Sequence, residues 1–364
     1  MPHPVPKKLI LIMIDGLTPA TFERAAEDDR TPALKFLAAN GAYTRGISTF
    51  PSLTPVCLSS IATGAHPDVH RIPHLVWYHR GERRVVEYGS SFAAIRAAGT
   101  RQAILDAIFN MNEQHLGTEA VTVFEALEDA GFTSAAINFT CYRGRTRHAP
   151  AVPAVARPAY GPRRFFFYNL FESDETGAPL AVFGRSVGSV DAYAAAVGRW
   201  LVTRDGFDFL VHYLPDYDFA SHLAGPDAAE EALQRSDAAA ETVLFRDGED
   251  VIARREGEDV RVDPDGGLFD YPDGGRRAWA ALHNPNAGDV VVSAAPGIEF
   301  ADLAGRHHVG GGSHGSLRRG DSEVPMLTLG LDAVPESIVD VMPTVLRHFG
   351  VEPPPYARAL ARAA

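Results

Sequence analysis

The chain has 364 residues, a net charge of −12 at neutral pH and two cysteines, Cys57 and Cys141. That length holds one large α/β domain or two modest ones, and two thiols exclude a disulfide framework or a cysteine-built metal centre. The acidic balance argues against nucleic acid as a general partner, no stretch nears the roughly 20 apolar residues of a membrane span, and no signal peptide is visible, so the cytoplasm is the expected location. In chain order, the apolar run LILIMI (residues 9–14) predicts a buried parallel strand and is followed at once by Asp15 and Gly16. Ligands gather at the carboxyl ends of such strands, so Asp15 is a candidate metal ligand; a carboxylate there also suits the cap of the next helix.

Residues 32–40 carry a helical pattern, and TFPSLTPVCLSSIATG (49–64) places Thr54 directly before Pro55 and a second helical stretch. Threonine then proline suits an N-cap and a first helical position. A helix start also offers free N–H groups to an anion, so the Thr54 hydroxyl reads either as a cap or as a group facing a bound anion. Residues 76–115, with WYHRGERRVVEYG (77–89), look like a lobe inserted after that helix. Further helices are expected over 118–130, 189–204, 227–241 and 337–349. Strands are expected over 133–138, 207–214, 289–293 and 326–331. This alternation predicts one α/β domain over 1–364, with a mainly parallel central sheet flanked by helices and small inserted lobes. A second insertion over 243–285 contains VLFRDGEDVIARREGEDVRV, which reads as a two-stranded meander with Asp-Gly turns.

Candidate chemistry lies after the strand at 207–214. In YLPDYDFASHLAGP (213–226), Asp218 and His222 stand four apart, on one face if that turn is helical; Asp216 is an alternative ligand. In VGGGSHGSL (309–317), His314 sits among glycines that let backbone approach a ligand closely. The basic cluster RGRTRH (143–148) offers Arg143 and Arg145 to an anionic substrate group, or to solvent. Carboxylate and imidazole together suit zinc and also manganese or iron. A phosphate ester repels nucleophiles, so cations that bind it and activate a hydroxyl explain why such residues would converge.

Taken together, these segments resemble the alkaline phosphatase superfamily, specifically its type I phosphodiesterase/nucleotide pyrophosphatase branch. The resemblance covers residues 9–16, 49–73, 208–226, 306–318 and 324–352, including PSLTPVCLSSIATGAHPDVHRIP and the closing SIVDVMPTVLRHFGVEPP. It implies a metal-dependent hydrolase of small phosphate esters with one or two divalent ions, zinc foremost. Thr54 would be the nucleophile, and Asp15 would hold a second metal together with Thr54. Asp218, His222 and His314 would hold the first. His74 stands where that branch often has an asparagine contacting the phosphate, so it reads as substrate-binding or as an ordinary loop residue.

One part of the pattern is missing. The family supplies an Asp-His-Gly segment between the Asp-x-x-x-His pair and the final histidine, and residues 223–313 contain no aspartate followed by histidine. Asp15 and Thr54 alone are too few ligands for a tightly held second zinc. The expectation therefore has two forms: an active hydrolase, or a degenerate relative with a single metal that acts as a binding protein.

Overall fold

The computed structural model describes residues 8–151, 156–180, 189–226, 228–244, 271–288, 293–294, 297–308 and 311–360. Its strands are β1 (Leu9–Ile14), β2 (Ala42–Ile47), β3 (Val76–His79), β4 (Arg84–Glu87), β5 (Ser134–Ile137), β6 (Thr146–His148), β7 (Ala159–Gly161), β8 (Arg164–Phe167), β9 (Phe171–Ser173), β10 (Phe209–Leu214) and β11 (Glu323–Thr328). The central sheet has the order β1-β10-β5-β8-β9. Its first four strands run parallel, and β9 closes the edge antiparallel to β8. This is the α/β, mainly parallel architecture that the alternating pattern predicts.

Strand alternation sorts the core into two layers. Leu11, Phe209 and Val211 face one side, where they meet Val56, Leu58, Met342, Val345 and Leu346 from the helices Thr54–Thr63 and Val341–His348. Ile10, Ile12, Leu210 and Leu214 face the other side, against Tyr193 and Val197 of the helix Val190–Trp200. All six residues of β10 are buried, as a strand covered on both faces requires. Each large apolar side chain so buried contributes roughly 1.5–3 kcal/mol.

Two elements differ from expectation. The segment near 326–331 is β11, and it pairs antiparallel with β2 in a separate two-stranded ribbon. Only Gly46 of β2 is buried, and Ala42 and Arg45 are exposed, as suits a strand outside the central sheet. The lobe at 76–115 is the β3–β4 hairpin, two short helices and a ten-residue π-helix, Asp106–His115, whose i→i+5 bonding no 3.6-residue pattern announces. The meander expected within 243–285 and the strand expected at 289–293 fall largely outside the described residues, although the helix Gly274–Leu282 lies within the former range. No described helix is long and apolar enough to cross a membrane.

Candidate metal centre and neighbouring hydroxyl

β1 and β10 end in register, Ile14 opposite Leu214, and the Asp15 N–H donates to the Leu214 carbonyl at 3.0 Å. Pro215 stops β10, and the helix Asp216–Ala224 starts at once. That helix puts Asp218 and His222 one turn apart, with His222 Nε2 3.4 Å from Asp218 Oδ2. From the glycine loop, His314 Nε2 comes within 3.7 Å of Asp218 Oδ1. One ligand atom from each of Asp218, His222 and His314 lies within 4.8 Å of the other two. Ligands about 2.0–2.1 Å from a tetrahedral zinc stand roughly 3.3–3.4 Å from one another, so little movement separates this arrangement from a coordinating one.

The tautomers fit as well. His222 Nδ1 lies 2.8 Å from the Gly312 carbonyl, and His314 Nδ1 lies 2.6 Å from that of Ser52. Carbonyls only accept, so each Nδ1 carries a proton and each Nε2 faces the carboxylate, as a donor while the ring is charged and as a metal ligand once it is neutral. The glycines allow this approach. A Cβ at Gly311 would lie 1.9 Å from the His222 carbonyl oxygen, and the Gly312 N–H donates to the Ser221 carbonyl at 2.8 Å. Burial opposes charge on Asp218, yet pairing with His222 and His314 holds its carboxyl well below the usual range. Burial also opposes charge on His314, but its pairing with Asp218 prevails and pushes the imidazole up to about 9.

Asp15 and Thr54 form the second half of the site. Thr54 is the first residue of its helix, Pro55 follows it, and Leu53 is the cap, one position earlier than the sequence suggests. The Thr54 hydroxyl is therefore not used in capping and donates to Asp15 Oδ2 at 3.1 Å. The Tyr213 hydroxyl, from β10, donates to the same oxygen. Burial, then the nearby Asp218 charge, push the Asp15 carboxyl up to about 6; the Tyr213 and Thr54 hydrogen bonds pull the other way.

The remaining candidates lie elsewhere. Asp216 Oδ2 accepts from the Asp191 N–H while Asp191 Oδ1 accepts from the Asp216 N–H, both at 3.2 Å, so Asp216 joins two helix starts. His74 is exposed, and its Nδ1 accepts from the Val76 N–H at 3.2 Å. The Arg143 guanidinium is spent on Glu125 and on the carbonyls of Leu116, Gly117 and Ala120. Arg145 pairs with Glu125 and Asp129. These bonds take up four of the five N–H donors of Arg143 and three of those of Arg145, so both arginines brace loop to helix.

Three contributors escape sequence reasoning. Tyr213 is hidden in FLVHYL, where a buried strand reads as uniformly apolar. Arg277, fully buried, donates to the Thr49 carbonyl at 2.9 Å and to Ser322 Oγ at 2.7 Å, fastening the segment that leads to Thr54. His308, paired with Glu299 at 2.5 Å, lies with its ring centroid 4.7 Å from that of His222.

Comparison with known proteins bears on fold and family. The family described as type I phosphodiesterase/nucleotide pyrophosphatase matches residues 9–246, a span that includes Asp15, Thr54, Asp218 and His222. No curated protein matches the chain. Among solved structures, murine ectonucleotide pyrophosphatase/phosphodiesterase 5 in complex with AMP is 13% identical and covers 96% of each chain, with a TM-score of 0.56. The human form of that protein is 12% identical over 96% of each chain, with a TM-score of 0.52. Phosphonoacetate hydrolase from Sinorhizobium meliloti 1021, in complex with phosphonoformate, is 21% identical over 66% of this chain, with a TM-score of 0.44. The chain spans about half of that hydrolase, 54% of its length. At such identities the likeness concerns fold, and the family rests on the match over 9–246: the chain belongs to the type I phosphodiesterase/nucleotide pyrophosphatase family, within the alkaline phosphatase superfamily.

Proposed function

We propose that the protein hydrolyses small phosphate esters, with Thr54 as nucleophile and a divalent ion, zinc foremost, held by Asp218, His222 and His314. The observation that carries this reading is the hydrogen bond from Thr54 Oγ1 to Asp15 Oδ2 beside that ligand set. A bound ion supplies positive charge for the phosphoryl oxygens. Asp15, with basicity raised to about 6, accepts the hydroxyl proton as Thr54 Oγ1 attacks phosphorus. The Oγ1–P bond forms, the bond from phosphorus to the leaving oxygen breaks, and that oxygen takes a proton from water. A second water then cleaves the phosphothreonine and restores the hydroxyl. Tyr213 keeps the Asp15 carboxylate aimed at Thr54. The net charge of −12 favours a small ester over a polyanion.

A second reading, a one-metal binding protein without turnover, is favoured by a specific feature. The segment DVVVS (289–293) leads into Ala294, Ala295, Pro296 and Gly297, so the glycine is not directly preceded by an aspartate and a histidine. Elemental analysis beside a nitrophenyl phosphodiester assay separates the two. Turnover that needs the metal and vanishes in Thr54→Ala, with metal content unchanged, supports hydrolysis. Bound metal without turnover above the Thr54→Ala background overturns it.

A further inference from the structure

The inserted lobe carries a second constellation of metal-ligating type, well apart in sequence from the site just described. His79 ends β3, Glu82 lies in the hairpin turn, and His115 ends the π-helix. Glu82 Oε1 is 3.3 Å from His115 Nε2 and 3.5 Å from His79 Nε2, and the three ligand atoms lie within 4.8 Å of one another. The separations again approach the roughly 3.3–3.4 Å edge of a tetrahedral zinc site.

The buried histidine supplies the second, independent observation. His115 is 3% exposed, and its Nε2, aimed at Glu82, makes no hydrogen bond. A buried nitrogen left without a hydrogen bond costs on the order of 1–3 kcal/mol, and the Glu82 contact at 3.3 Å does not have the geometry to supply one. Its other nitrogen lies 2.7 Å from the Tyr88 hydroxyl. With Nδ1–H donated to Tyr88, the Nε2 lone pair points into the cluster. Trp77 stands edge-on to the ring, at a centroid distance of 5.4 Å, and packs it in that orientation.

We propose that His115, Glu82 and His79 bind a zinc-class divalent transition-metal ion that clamps the β3–β4 hairpin to the π-helix. Imidazole and carboxylate suit such ions, and water would complete the set. The ligands are not equivalent. His79 Nδ1 accepts the Glu82 N–H at 3.0 Å, which leaves a proton on Nε2; metal binding displaces that proton as the ring turns or gives up the bond. Arg84 Nε holds Glu82 Oε2 at 2.6 Å, leaving Oε1 for the ion while tempering the carboxylate's charge. The ion would thus add to the link that Arg84 already makes from this hairpin to Asp106.

The test is zinc binding by equilibrium dialysis on the full chain carrying Asp218→Asn, His222→Ala and His314→Ala, which isolates the lobe. One zinc per chain is expected, together with a higher melting temperature when zinc is added. Glu82→Gln and His79→Gln should each weaken binding by about a hundredfold, since even groups that only support a ligand cost 10–100-fold. Both should leave the metal-free melting curve close to its parent. A folded triple variant that binds no zinc overturns the proposal, as does zinc held equally well after Glu82→Gln with His79→Gln. If the triple variant does not fold, the wild-type chain serves: the two lobe substitutions should remove one equivalent of zinc and spare ester turnover. An unchanged metal content refutes the clamp.

Discussion

Gly16 lies so close to Asp218 that a Cβ on it would come 2.7 Å from Asp218 Oδ1. Its φ of +72° adds a second reason for glycine, because side chains are strained there. The turn after β1 thus presses against the helix that supplies Asp218, which is how Asp15 and the metal ligands come to share one site. Gly16→Ala should move Asp218 away from His314 and lower stability by roughly 1–3 kcal/mol, the range for such backbone strain. Zinc affinity and melting temperature should fall together; a variant with wild-type affinity would show that this contact is not what positions the carboxylate.

Tyr213 should set the acidic limb of the pH–rate profile. Its hydroxyl bond is one of the influences restraining the rise of the Asp15 carboxyl, so Tyr213→Phe should raise that pKa further. A general base must be deprotonated, and the half-maximal point of kcat/KM on the acid side should therefore shift to higher pH. The melting curve should change little, because Phe keeps the ring. An unshifted profile with a uniformly lower rate would assign Tyr213 to orientation alone.

The charge pair at the metal centre makes the metal-free protein sensitive to pH. His314 is raised from 6.5 to about 9, so its stabilising effect is complete below 6.5 and is lost as pH climbs through 9. Asp218 is depressed, so the same interaction is also lost at the acid end, as pH falls below 3.8 and through the lowered folded value. Asp15 acts oppositely to Asp218: its raised value costs stability as pH rises from 3.8 through about 6. Thermal melts of metal-free protein should therefore show a decline between pH 6.5 and 9 that Asp218→Asn removes. Zinc needs neutral imidazole, so its uptake at neutral pH should release protons. Calorimetry in buffers of different ionisation enthalpy measures that release, and a heat independent of buffer would contradict the pairing.

The residues that sequence reasoning picked out share a property: each sits beside a strong local signal. Asp15 follows an unbroken apolar run, Thr54 precedes a proline, Asp218 and His222 keep helical spacing just past a buried strand, and His314 is set in glycines. The structure brings the last three within one cluster and joins the first two by a hydrogen bond. What stayed hidden depends on distant partners. Arg277 fastens carbonyls and a hydroxyl far away in the chain, β2 and β11 pair across almost the whole length, and the π-helix has no period to announce it. Arg143 and Arg145 show the same dependence, since clustered charge in a sequence does not reveal the pairing with Glu125, Asp129 and three carbonyls.

Where the family pattern has Asp-His-Gly, the sequence reads Ser293, Ala294, Ala295, Pro296 and Gly297. Ser293, which follows the apolar residues Val290, Val291 and Val292, accepts a hydrogen bond from the Leu317 N–H at 3.0 Å, three residues beyond His314. The run thus ends beside the loop that supplies a metal ligand, and Gly297 follows four residues later. If Gly297 is the surviving glycine, Ala295 and Pro296 occupy the two ligand positions, and neither can bind a metal. The double substitution Ala295→Asp with Pro296→His should then add one zinc per chain and raise ester turnover by orders of magnitude, since the two new side chains would join Asp15 and Thr54 in holding a second ion. Thr54→Ala in that background should abolish the gain. Metal content that stays at the wild-type level would mean that the second site was lost by more than these two side chains.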